Sequence, residues 1–206
     1  MKSITSFIVE IEQPIKDKIQ TSSGVELFID TRFNEFQYRT TSGKIIAVPS
    51  ILSNKRNDTD QHGASFVKPG DTLYFHHLVV MDKTQALVGV DNHFMVKYDP
   101  VHTLNNQAIA YKDQDTGEII PLFGWCLLSP APKEEPEEGV IKIVKIKEEP
   151  ETLGVVAKMC DELKDVNLKI GDVVGFARGM DYRVDIDGVE LYRTRIQDLL
   201  YVKEKS

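Results

Sequence analysis

Short, β-branched apolar runs separated by Gly, Pro, Asn or Asp dominate this chain, and long helical periodicity is scarce. That pattern predicts strands joined by turns, an all-β fold of barrel or sandwich type. Strands are expected over residues 6–11, 43–48, 86–90, 94–98 and 108–111, with a tight turn at Asp91-Asn92. Further strands are expected over 125–128, 153–157, 184–186, 189–192 and 196–202. Asp187-Gly188 reads as a two-residue hairpin turn, because both residue types accept positive φ. The polar stretch 53–65 reads as an exposed loop or hairpin tip. Residues 130–138, rich in Pro and Glu, read as extended chain.

One phrase occurs twice. Lys68-Pro69-Gly70-Asp71 and Lys169-Ile170-Gly171-Asp172 each lead into an apolar strand that reaches Phe four residues after the Asp, at Phe75 and Phe176. The first copy fits a type II turn, since Pro presets φ and Gly supplies φ > 0 at the next position. A repeat spaced by about one small domain predicts two copies of one fold. The copies are assigned to residues 1–112 and 119–206, with 113–118 as a polar linker.

Composition narrows the function. The 206 residues are 41% apolar, ordinary for a globular protein, and carry a net charge of −7. An acidic balance argues against a nucleic-acid partner, whose phosphates demand Lys and Arg. No apolar run approaches a bilayer span, and the first residues lack the pattern of a signal peptide. Cys126 and Cys160 sit in apolar stretches and read as buried free thiols in a reducing compartment. His76-His77 invites a metal, but neighbours on a strand point to opposite faces, so none is assigned. No nucleophile elbow, phosphate loop or dinucleotide fingerprint occurs, so neither an enzyme nor a cofactor is expected.

The second half resembles a GroES-type co-chaperonin subunit. The resemblance rests on Pro121-Leu122, Gly139-Val140-Ile141, residues 153–157, the stretch 166–174 around Gly171-Asp172, residues 186–192 around Asp187-Gly188, and the close at 196–202. The first half keeps Gly24-Val25-Glu26-Leu27, residues 43–48 and 67–71, and diverges in its last third. Gly124-Trp125 stand where the family has Asp-Arg. The resemblance implies two tandem GroES-like, partly open β-barrels with long projecting loops.

It further implies a co-chaperonin that forms a homo-oligomeric ring and caps the apical domains of a GroEL-type chaperonin, enclosing an unfolded client. The chaperonin, not this chain, would hydrolyse ATP. The contact residues carried over are Val140, Ile141, Lys142 and Ile143 in the second copy and Val25, Leu27, Phe28 and Ile29 in the first. Two bland readings stand beside these: residues 140–146 as an ordinary strand, and the first cluster as buried core. The stretch 53–65 takes the place of the family's roof hairpin or is simply a solvated loop. The expected location is the cytoplasm, a host's if the chain is phage-encoded. The main alternative is a phage virion or assembly protein built from tandem β-barrels; a nucleic-acid-binding barrel ranks behind it.

Overall fold

The computed structural model describes residues 2–21, 24–28, 30, 38–50, 66–99, 106–131, 152–180 and 182–203. The chain divides into two compact units, Met1–Phe123 and Gly124–Ser206. Both are built mainly of antiparallel strands. The expected site residues Ile29, Val140, Ile141, Lys142 and Ile143 lie outside the described residues, as does the polar stretch 53–65.

The first unit contains β1 (Ser6–Glu10), β2 (Lys18–Gln20), β3 (Glu26–Phe28), β4 (Ser42–Ala47) and β5 (Thr72–Phe75). A one-turn helix α1 (Leu78–Met81) follows, then β6 (His93–Lys97), β7 (Ala108–Lys112) and β8 (Ile119–Pro121). Its main sheet runs β6-β1-β4-β5-β7-β8, while β2 and β3 pair as a separate hairpin. The second unit contains β9 (Trp125–Pro130), β10 (Leu153–Met159), β11 (Val173–Phe176), β12 (Arg183–Ile186), β13 (Val189–Arg195) and β14 (Leu199–Lys203). Its sheet runs β12-β13-β9-β10-β11-β14. Among the described residues neither six-stranded sheet is closed: β6 and β8 are the edges of the first, β12 and β14 of the second.

Five strands share one order in both sheets, β6-β1-β4-β5-β7 against β13-β9-β10-β11-β14. The sixth strand is added at opposite ends, β8 outside β7 and β12 outside β13. Irregularities recur as well. The register shifts between Tyr74 and Phe75 on β5 and between Gly175 and Phe176 on β11.

The repeated phrase is the same device in both units. Asp71 N–H donates to the Lys68 carbonyl at 3.2 Å, and Asp172 N–H to that of Lys169 at 3.1 Å. Gly70 and Gly171 have φ of +103° and +91°, the left-handed value a type II turn needs at its third position. The carboxylate accepts the first N–H of its own turn, Lys68 onto Asp71 and Lys169 onto Asp172, both at 2.9 Å. Backbone bonds then tie the turn to the neighbouring strand: Gly70 N–H to the Ile45 carbonyl and Gly171 N–H to that of Val156, both 2.8 Å.

The structure corrects three expectations. Residues 113–118 are not a linker between copies but the turn of a hairpin that folds β8 onto β7, so Ile119–Pro121 joins the first sheet. Asp113 makes the turn by accepting the N–H groups of Asp115 (2.7 Å) and Thr116 (2.9 Å), which holds its carboxyl below the usual range. Residues 86–90 form no strand; Ala86 makes a single bridge to Phe94, and the chain turns through Gly89 and Asn92, both at positive φ. His76 and His77 do not point apart along a strand. β5 ends at Phe75, His77 stands at the N-cap position of α1, and the two rings lie 4.2 Å apart. Asp187-Gly188 does form the expected turn between β12 and β13, with φ of 54° and 81°.

Each unit has its own core. Phe7, Val9, Ile45, Leu73, Phe75 and Val96 centre the first, and Cys126, Leu128, Val156, Val174, Phe176 and Tyr192 the second. Cys126 and Cys160 are buried free thiols, and burial pushes the Cys126 thiol up to about 12. One position is chemically mismatched. β1 pairs Phe7 with Val96, and β9 pairs Cys126 with Thr194, so Val96 and Thr194 hold equivalent places. Thr194 is buried, yet among the described residues its Oγ1 has no hydrogen-bond partner. Replacing Thr194 by Val removes that unpaired hydroxyl at nearly constant volume. The change is expected to raise unfolding stability by about 1 kcal/mol, seen as a higher urea midpoint at unchanged slope.

Candidate functional site

The site proposed for the first copy lies between β1 and β4, where the chain leaves the sheet and returns over residues 11–41. The stem of this excursion is held by an Ile15–Arg39 bridge, by Lys16 N–H on the Tyr38 carbonyl (2.7 Å) and by Thr40 N–H on the Pro14 carbonyl (3.0 Å). Beyond the stem, β2 and β3 pair in the register Lys18↔Phe28, Ile19↔Leu27 and Gln20↔Glu26. Gly24, at φ +80°, turns the chain at the tip. There Thr21 N–H donates to the Val25 carbonyl at 2.9 Å, and Val25 N–H donates to Thr21 Oγ1 at 3.0 Å.

The apolar residues of this hairpin are exposed rather than buried: Val25 by 54%, Leu27 by 51% and Phe28 by 74%. They do not form one face. Strand alternation places Val25 and Leu27 on one side and Glu26 and Phe28 on the other. Phe28 lies under the Lys18 ammonium, 5.1 Å from the ring centroid, and Lys18 also pairs with Glu26 at 3.2 Å. A cation over an exposed ring contributes about 0.5–1 kcal/mol, so it orients Phe28 without burying it. The hairpin therefore offers two apolar surfaces: Val25 with Leu27, and Phe28 flanked by charge.

The second-copy residues Val140–Ile143 fall between β9 and β10, the same connection in the strand order as the hairpin between β1 and β4. Among the described residues no three His, Cys, Asp or Glu side chains converge as metal ligands. No helix among them is long and apolar enough to cross a membrane.

A second cluster, in the second unit, escapes a reading of motifs. β9 and β13 pair Trp125 with Arg195 and Leu127 with Arg193, so these four side chains share one face. The Arg193 guanidinium lies 5.8 Å from the Trp125 ring centroid and 5.1 Å from that of Tyr182. Arg195 approaches the same indole at 5.4 Å. Arg193 N–H donates to the Tyr182 carbonyl at 2.8 Å and draws that residue alongside. The available signal was the Arg-x-Arg spacing on a strand, which puts both cations on one face. What they face depends on the pairing with β9, 68 residues upstream of Arg193 at Trp125.

No protein-family model matches the chain, and no curated protein matches it.

Proposed function

We propose that this chain is a tandem co-chaperonin. Its two units, as GroES-like partly open barrels, assemble into a homo-oligomeric ring that caps a GroEL-type chaperonin in the cytoplasm and encloses a folding client. The observation that carries this reading is the hairpin between β1 and β4, which presents Val25, Leu27 and Phe28 to solvent. A solvent-facing apolar hairpin is a poor contributor to its own domain and a good ligand for an apolar groove.

Burying one such side chain contributes roughly 1.5–3 kcal/mol, and ordering the loop offsets part of it. A single loop thus binds weakly. A ring of loops binds tightly, because each engaged loop raises the effective concentration of the next. Ring assembly has a candidate edge in β14. Leu200, Tyr201 and Val202 are exposed there, on a five-residue strand that ends in Lys203. The other edges carry protection: Pro121 on β8, Arg183 and Asp185 on β12, and the Ala86–Phe94 bridge beside β6.

The test is retention of the full-length chain by a GroEL-type chaperonin with and without ATP. Wild type is expected to bind only with nucleotide. Leu27→Asp and Ile141→Asp are each expected to weaken capping about 10–100-fold while leaving the fold intact by circular dichroism. Undiminished capping by both variants would sink the loop assignment. Absence of nucleotide-dependent binding by the wild type, with recovery of the chain in purified phage particles, would replace this reading with the virion one.

A further inference from the structure

The Arg193 cluster carries an inference independent of chaperonin binding. Arg193 is only 7% exposed. Among the described residues its guanidinium makes no hydrogen bond or ion pair; its neighbours are the rings of Trp125 and Tyr182 and a second cation, Arg195. Burial above all, and Arg195 in addition, pull the group down to about 10 against the opposing effect of Tyr182, so it stays charged at neutral pH. A largely buried cation with no anion beside it among the described residues is costly.

The fold does not require this arrangement. By the shared pairing of β1 with β6 and of β9 with β13, Arg193 stands where the first sheet has Met95, and Trp125 where it has Ser6. In the first unit that position carries a half-buried, uncharged Met95, so the guanidinium is a feature of the second unit alone. Its planar fork matches the two oxygens of a carboxylate or phosphate, and contact with aromatic rings does not use its donors. Tyr182, 53% exposed, leaves the cluster a side open to solvent.

We propose that Arg193, held between Trp125 and Tyr182 with Arg195 beside the same indole, forms an oxyanion-binding site that takes a phosphate or carboxylate group. The chain has one tryptophan, and it is in the site, so its emission reports occupancy directly. The full chain is titrated with inorganic phosphate and, separately, with acetate, sodium chloride holding the ionic strength constant. A saturable change in emission is expected with at least one of them, and whichever saturates at lower concentration identifies the preferred oxyanion. Arg193→Met, which installs the residue of the first sheet, is expected to abolish the saturable change. Arg193→Lys, which keeps the charge but loses the fork, is expected to weaken it about 10–100-fold. A wild-type response no larger than that to chloride overturns the proposal, as does undiminished affinity in Arg193→Met. If Arg193→Met does not fold, undiminished affinity in Arg193→Lys overturns it instead.

Discussion

Asp71→Ala is expected to destabilise the chain by about 2–4 kcal/mol, and Asp172→Ala, the same change in the other copy, by only about 1 kcal/mol. The two aspartates close identical turns, but their surroundings differ. Asp71 is fully buried, and its carboxylate accepts two backbone N–H groups: that of Lys68 at 2.9 Å and that of Gln114 at 3.0 Å. The second bond fastens the β4–β5 connection to the hairpin that carries β8. Removing the carboxylate leaves two donors short of an acceptor, one of them near enough to the surface for water to replace part of the loss. Asp172 is partly exposed and, among the described residues, accepts only the Lys169 N–H, at 2.9 Å. Asp71→Asn keeps the shape but turns one acceptor into a donor facing a donor, so most of the cost should remain. Urea unfolding followed by far-UV circular dichroism measures each variant. Equal losses at Asp71 and Asp172 would show that the Gln114 contact contributes nothing.

The second large effect is expected at Gly43. Its backbone is not in the left-handed region; what forbids a side chain is distance. A Cβ there would sit 2.8 Å from the Glu10 carbonyl oxygen and 3.0 Å from Ile11 Cγ1. A carbonyl oxygen in a strand cannot swing away as a side-chain tip can, so β1 and β4 would have to separate. Gly43→Ala is expected to cost about 2–3 kcal/mol, read as a lower urea midpoint. The equivalent Gly154 would meet Leu128 Cβ at 2.9 Å and Cδ1 at 3.0 Å, and its alanine variant should also destabilise. Gly175 solves a different problem. Tyr201 lies across it, paired strand to strand, where the first sheet pairs Tyr74 with Ala110. The aromatic ring has changed strands between the copies, and the small residue has changed with it.

These cases show how far the sequence could be read. Lys-x-Gly-Asp was visible as a repeat and as a turn, because Pro and Gly act on their own φ. The Asp in it was visible, but its purpose was not. That one copy binds Gln114 and the other does not depends on β8, which joins the first sheet through a hairpin whose turn Asp113 helps close. Without that pairing, Ile119–Pro121 reads as the start of the second copy. The short helix Leu78–Met81 was missed because an apolar run of four has no period of its own.

Of the proposed contact residues, the sequence singled out Val25, Leu27 and Phe28 as an apolar cluster but not their exposure, nor their division between two faces of a hairpin. The Arg193 cluster was less legible still. Its members come from β9, β13 and the residue before β12.

By itself, then, the sequence determined the all-β character, the doubling of one turn-and-strand phrase, and the hairpin at Asp187-Gly188. All three follow from local preferences: alternation, β-branching and the φ that Gly, Pro and Asp accept. Tertiary structure alone decided which sheet claimed β8, which faces Leu27 and Phe28 occupy, and that Arg193 meets Trp125. Those outcomes rest on register, and a slip of one residue along a strand sends every side chain to the opposite face.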